Sequence, residues 1–234
     1  MPSAVSKLVL FDIDGTLLLT DGAGRRAIRR AMAATLGGAG LVDGVRFDGK
    51  TDPQIVRELL QAAQHHHAED VERIWGLCEE YVALLESELS LSASVRLLDG
   101  VETLLEALDQ RTDTVLGLLT GNMAAGARLK LTYAGLDPDR FRVGAFGSDA
   151  MERRELPAFA ARRASAIMGT PPSGQAMVII GDTPNDMVCG ADLGARAIGV
   201  ATGSYTGNDL RDAGAFAVFD DLSDTEAVVA AIYE

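Results

Sequence analysis

Residues Lys7 to Leu18 read KLVLFDIDGTLL, and the reading of this stretch decides the fold. Leu8 to Phe11 is a short unbroken apolar run, which suits a strand covered on both faces in a parallel sheet. The run stops at Asp12, and Asp14 follows two positions on. Two carboxylates so close at a strand end repel each other unless a cation or a shared proton offsets the cost. Gly15 and Thr16 then turn the chain away. In open α/β sheets ligands bind outside the carboxyl ends of the strands, which is where Asp12 is placed. Taken alone, the stretch also reads as an Asp-Gly turn after an edge strand.

Two later stretches change the balance. Asp113 to Asn122, DTVLGLLTGN, is an apolar run that stops at Thr120, Gly121 and Asn122, and Ala176 to Asp186, AMVIIGDTPND, ends in Gly181, Asp182 and a further acid at Asp186. Parallel strands joined by right-handed crossovers carry their carboxyl ends on one edge of the sheet, so the three polar clusters are expected to converge. Between the first and second clusters, roughly residues 20 to 93, lies an insertion too long for a simple crossover. Helical spacing of apolar residues is read over Gly24–Leu36, Asp52–Gln64 and Glu69–Leu89, with a glycine-rich loop carrying Asp43 and Asp48 between the first two. Thr51-Asp52-Pro53 reads as a capped helix start. The expected architecture is α/β: a parallel-sheet core from residues 1–19 and 94–234, with a small helical domain inserted over 20–93.

Past the insertion, a helix is expected over Val101–Leu108 and another from Asn122 through Leu131, its positive amino end facing the same edge as Thr120 and suited to phosphate. Phe141–Phe146 reads as a further strand and Leu156–Met168 as a helix. Ala195–Val200 and Phe216–Phe219 read as short edge strands, and Ser223–Tyr233 as a closing helix.

The 234 residues carry a net charge of −13, so a phosphate backbone would be repelled and nucleic acid is excluded as a partner. A small phosphorylated molecule can still bind where cations and backbone N–H groups are focused. Cys78 and Cys189 stand far apart in sequence and suggest two buried thiols rather than a disulfide or a thiolate metal site. The apolar start runs straight into Asp12, too short for a signal peptide or a membrane span. A cytoplasmic protein, monomer or homodimer, with no membrane partner is expected. In the insertion, His65, His66 and His67 read as an exposed helix end, Arg25, Arg26, Arg29 and Arg30 as a solvated helix face, and Trp75 as core. Arg46 and Lys50 are the side chains there best placed to touch a charged substrate tail.

The ordered set FDIDGTLL, LLTGN and IIGDTPND resembles the first, second and fourth motifs of the haloacid dehalogenase-like superfamily of phosphatases and phosphomutases, over nearly the whole chain. GKTDPQIVRELL and GDTPNDM look like segments of its phosphoglycolate phosphatase group. The resemblance implies a Rossmann-like sheet, a helical cap that closes over the site, Mg²⁺ and an aspartyl-phosphate intermediate. It makes Asp12 the nucleophile and Asp14 the general acid, then base. Thr120, Gly121 and Asn122 would bind the phosphoryl oxygens. Asp12, Asp182 and the Asp14 carbonyl would hold the metal, with Asp186 supporting from behind.

The sequence departs from the family in its third motif, usually a lysine. Lys130 lies eight residues into the helix expected from Asn122, at about 1.5 Å per residue roughly 12 Å from the phosphate end, which argues against it. An arginine is expected instead. Some members resemble Glu152-Arg153-Arg154-Glu155-Leu156-Pro157 with arginine four residues before the proline, which selects Arg153, with Arg154 as runner-up. Asp14 argues against dehalogenase chemistry, since halide needs no proton. Lys50 is the sole lysine of the insertion and sits beside a loop, which argues against phosphonate cleavage through an imine. The expected activity is hydrolysis of a small phosphomonoester. A sugar phosphomutase and a non-catalytic phospho-ligand binder are the alternatives.

Overall fold

The computed structural model describes residues 6–37 and 44–234. Its sheet is built outward from β1 (Lys7–Phe11). The chain then forms β2 (Leu18–Leu19), α1 (Ala23–Leu36), α2 (Asp52–Ala62), α3 (Val71–Leu91), β3 (Arg96–Leu97), α4 (Val101–Asp109) and β4 (Thr114–Leu119). It continues through α5 (Ala124–Tyr133), β5 (Val143–Ala145), α6 (Leu156–Met168), β6 (Met177–Gly181) and α7 (Pro184–Cys189). It closes with β7 (Arg196–Val200), α8 (Gly207–Asp212), β8 (Ala217–Phe219) and α9 (Thr225–Tyr233).

Six strands pair in the order β5-β4-β1-β6-β7-β8, all in parallel. Numbered among themselves along the chain, they run 3-2-1-4-5-6, the Rossmann order, with the direction of winding reversing beside β1. β1 is hydrogen-bonded on both sides, Leu10 opposite Gly117 of β4 and Ile179 of β6. Successive residues of a strand face opposite ways. Val9 and Phe11 therefore pack with α4, α5 and α9, and Leu8 and Leu10 with α6. Both faces are covered, which is why these strands read as unbroken apolar runs. Each fully buried Leu, Val or Phe contributes about 1.5–3 kcal/mol relative to exposure. β7 is not the edge strand expected from its sequence: β8 pairs beyond it, and every residue of β7 is buried.

The insertion leaves through β2 and returns through β3, which pair antiparallel, Leu18 with Leu97 and Leu19 with Arg96, as a two-stranded ribbon. Between them α1, α2 and α3 share an apolar core of their own that includes Ile28, Met32, Leu59, Leu77, Tyr81 and Leu85. Thr51 caps α2, its Oγ1 accepting from Gln54 N at 3.2 Å, with Pro53 in the first turn. Trp75 is half-buried on α3 rather than part of that core. The histidine run falls in the turn after α2, and His67 Nδ1 lies 2.9 Å from Asp70 of the next helix start. Arg26 and Arg30 both pair with Glu88 of α3. Asp43 lies outside the described residues.

Candidate active site

The carboxyl ends of β1, β4 and β6 open into one cavity of about 220 Å³ under the helices of the insertion. Asp12, Asp14, Thr120, Asn122, Arg153 and Asp182 all line it, together with Gly121. One carboxylate oxygen from each of Asp12, Asp182 and Asp186 lies within 4.8 Å of the others, and all three residues are buried. Arg153 is the cation set among them. It sits in a single 3₁₀ turn before α6, with Nη2 3.1 Å from Asp12 Oδ1 and donating to Asp186. Arg154, next to it, is exposed.

Three buried acids against one guanidinium leave negative charge uncompensated. Burial pushes the Asp12 carboxyl above its usual range; Arg153 opposes this, and Asp186 and Asp14 add to it. Burial, with Asp186 and Asp12 nearby, pushes Asp182 well up. These oxygens are hard donors, and a small divalent cation such as Mg²⁺ is what would relieve them. The acids differ in what their oxygens are free to do. Asp186 accepts from Arg153 with one oxygen, and with the other from Thr183 N (3.0 Å) and Oγ1 (2.6 Å), closing the capping box of α7. Asp182 accepts one bond, from Thr16 Oγ1 at 3.2 Å. Gly15 and Gly203 let backbone crowd that carboxylate, because a Cβ at either would land on it. Asp12 and Asp182 thus have oxygens left that could hold a metal, while Asp186 holds Arg153.

Thr120 and Asn122 form a second layer. Asn122 donates from Nδ2 to Thr120 Oγ1 and to Asp14 Oδ2, both at 2.8 Å. Its backbone N–H also reaches Thr120 Oγ1 at 3.4 Å. With the acceptor side of the hydroxyl filled, the Thr120 O–H is left to donate into the cavity. Arg153 Nε is buried with no acceptor among the described residues, a further donor in hand for an oxygen that the protein does not supply.

Two expectations are corrected here. The helix after β4 begins at Ala124, not Asn122, and its amino end is closed to phosphate. Asp52 of α2 accepts from Met123 N at 2.7 Å, and Ser148 Oγ accepts from Ala124 N at 3.1 Å. A carboxylate satisfies the unpaired N–H groups and positive dipole of that end. Lys130, set aside on its distance along the helix, reaches the site. Its Nζ lies 2.8 and 2.6 Å from the two oxygens of Asp14 and 2.6 Å from Asn122 Oδ1. Rise along the axis was the wrong measure, because helical side chains lean back toward the amino terminus and a lysine stem is long. Gly126, Ala127, Lys130 and Leu131 share the buried face of α5. A lone lysine in that i, i+3, i+4 pattern was the signal.

The seam between insertion and sheet is tight. Asp52 N donates to Gly121 O at 2.8 Å, Thr51 Oγ1 donates to Met151 O, and Arg57 pairs with Glu152 at 2.7 Å. A Cβ at Gly121 would land on the Lys50 carbonyl oxygen. Lys50 lines the cavity but pairs with Glu58, Arg25 lines it and stacks over Phe47 with Cζ 4.2 Å from the ring centre, and Arg46 is exposed outside it.

A Rossmann-ordered sheet with carboxylates converging beside its switch point is an α/β fold whose acidic cluster could hold a cation at the edge where such sheets bind ligands. The chain belongs to the haloacid dehalogenase-like hydrolases, whose family profile matches residues 6–194. A search of curated protein sequences returned no match. Among solved structures, a hydrolase from Pseudomonas syringae is 23% identical, with 96% of this chain and 97% of that one covered at a TM-score of 0.70. A protein described as a predicted phosphoglycolate phosphatase from Haemophilus somnus is 22% identical, covering 97% and 99% at 0.68. CbbY from Rhodobacter sphaeroides, solved in complex with phosphate, is 23% identical, covering 93% and 95% at 0.65. These likenesses show the shared fold. Among the described residues, no helix is long and apolar enough to cross a membrane.

Proposed function

We propose that this protein is a Mg²⁺-dependent phosphomonoesterase acting on a small phosphorylated metabolite through an aspartyl phosphate on Asp12. In this reading residues 1–19 and 94–234 are the catalytic core, 20–93 a cap, and the protein works in the cytoplasm as a monomer or homodimer. The observation that carries it is the cluster of Asp12, Asp182 and Asp186 around Arg153, with Asp14 beside it on the cavity wall. Asp12 and Asp182, with the Asp14 carbonyl, are the groups to hold the metal. When bound, Mg²⁺ supplies positive charge against the phosphoryl oxygens.

Asp12 attacks phosphorus in line, so that its oxygen–phosphorus bond forms as the ester bond breaks. Arg153 holds that carboxylate in place through its 3.1 Å contact. The Thr120 hydroxyl and the Gly121 and Asn122 backbone steady the transferred group. Asp14 gives its proton to the departing oxygen. It then takes one from the water that attacks the aspartyl phosphate, which frees phosphate and restores Asp12.

The test is phosphate release from an aryl phosphate and a panel of small phosphomonoesters, with Mg²⁺ or chelator, for wild type and Asp12→Asn. Metal-dependent release that the substitution abolishes, in a folded protein, is the expected result. Wild-type-like rates in Asp12→Asn would refute the assignment of the nucleophile. Isomerised sugar phosphate without phosphate release would make the protein a mutase, and ligand binding without turnover would make it a binding protein.

A further inference from the structure

Lys130 is a lysine only 4% exposed, on a helix whose other buried residues are small or apolar. A buried ammonium persists only where it is paired and hydrogen-bonded. Its partners are specific: both oxygens of Asp14 and the side-chain oxygen of Asn122. A lysine has donors alone, so the Asn122 carbonyl must face it. The Asn122 amide N–H groups are thereby turned toward Asp14 and Thr120, as the 2.8 Å bonds show. Asp14 is gripped by two groups, Lys130 on the buried face of α5 and Asn122 in the short loop between β4 and α5. Its side chain keeps 42% exposure, while that of Lys130 has 5%.

We propose that Lys130 is a positioning residue, which aims the Asp14 carboxyl group at the oxygen of the leaving group. The inference rests on the phosphatase reading above and adds to it. Asp14 lies past the end of β1, between Ile13 and Gly15, where its carboxyl could turn toward solvent. Proton transfer in the transition state requires the acid within hydrogen-bond reach of the departing oxygen. Holding the carboxylate at both oxygens on the wall of the cavity meets that requirement. Lys130 does not replace the lysine of the third motif, because Arg153 already occupies the place beside Asp12.

The discriminating measurement is kcat/KM across a series of leaving groups, from alkyl phosphates to aryl phosphates of acidic phenols. This ratio reports the steps through phosphoryl transfer to Asp12 and excludes the later hydrolysis. Poor leaving groups need the proton and good ones do not. General acid catalysis is worth about 10²- to 10⁴-fold. Lys130→Met is therefore expected to lower kcat/KM by about 10²-fold or more on alkyl phosphates and by less than about tenfold on the activated aryl esters. Lys130→Gln, which can still donate an N–H to Asp14, should fall between Met and wild type on the alkyl series. An equal loss on both classes, or no loss, overturns the proposal, since a merely structural lysine would not change the dependence on leaving group. If Lys130→Met does not fold, Lys130→Gln carries the same comparison. A wild-type enzyme inert toward every ester would overturn the phosphatase reading and this proposal with it; an active one with an unchanged slope would overturn the proposal alone.

Discussion

Asp52→Asn should make the protein more stable at neutral pH, and the gain should disappear in acid. Asp52 is 5% exposed at the start of α2, where its carboxylate accepts from Met123 N. Burial raises its pKa from 3.8 to about 6; Lys130 and the Met123 N–H oppose the shift and Asp14 adds to it. The raised value means that the folded protein binds a proton more tightly than the unfolded chain. The unfolded chain has therefore released that proton above about pH 4, whereas the folded protein releases it near pH 6, so stability falls as pH rises through that window. From about 3.8 to about 6 is roughly 2 units, or about 3 kcal/mol at pH 7 as a ceiling. An asparagine oxygen can still accept from Met123 N, and asparagine is a good cap. For a chain of this size about 3 kcal/mol corresponds to roughly 6–12 °C in Tm. Thermal unfolding of wild type and Asp52→Asn at pH 4, 5, 6 and 7 is the assay. The two midpoints should lie close together at pH 4 and separate in favour of the variant by pH 7. A constant gap, or wild type gaining on the variant as pH rises, would refute the reasoning.

Arg153→Ala removes the cation between Asp12 and Asp186 and should cost about 3–5 kcal/mol in stability along with turnover. Arg154→Ala, at an exposed position, should stay within about 0.5 kcal/mol, and equal effects in calorimetry and phosphate release would break the assignment. Gly121→Ala places a Cβ on the Lys50 carbonyl, so the start of α2 cannot seat against the sheet. Phosphate release should fall by about 10²-fold with helical content unchanged, and an active variant would mean that the seated arrangement is not the working one.

What the sequence made legible was what depends on local pattern. Asp12, Thr120 and Asp182 each follow an apolar run, and strand ends in a parallel sheet must share an edge, so their convergence could be read without coordinates. The separation of Arg153 from Arg154 took only a resemblance, and the buried and exposed sides of one turn now divide them. Partners chosen across the fold were not legible. Asp52 read as a helix start and serves also to cap α5, because the insertion folds back onto the loop after β4. Lys130 was misplaced because counting along a helix ignores the direction of its side chains. β7 looked like an edge strand because pairing with a short neighbour such as β8 leaves little trace in composition.

The same side chains that complete the site also bear on how firmly the insertion is seated. Burying Asp52 between the insertion and the sheet costs up to about 3 kcal/mol at neutral pH, by the shift toward pH 6. The net shift already includes the Met123 N–H bond that the carboxylate gains. The Arg57–Glu152 pair is partly exposed on both sides and contributes about 0–1 kcal/mol. What favours seating is then close approach to backbone, Asp52 N donating to Gly121 O and the Asn185 side chain donating from Nδ2 to Gly49 O, where glycines at 49 and 121 leave room. In the proposed reading, a seam of modest, opposing terms suits a cover that excludes water during phosphoryl transfer and opens again to release product. In the same reading access is tied to chemistry: the insertion supplies the carboxylate that accepts from the start of α5, and α5 carries Lys130, which contacts Asp14.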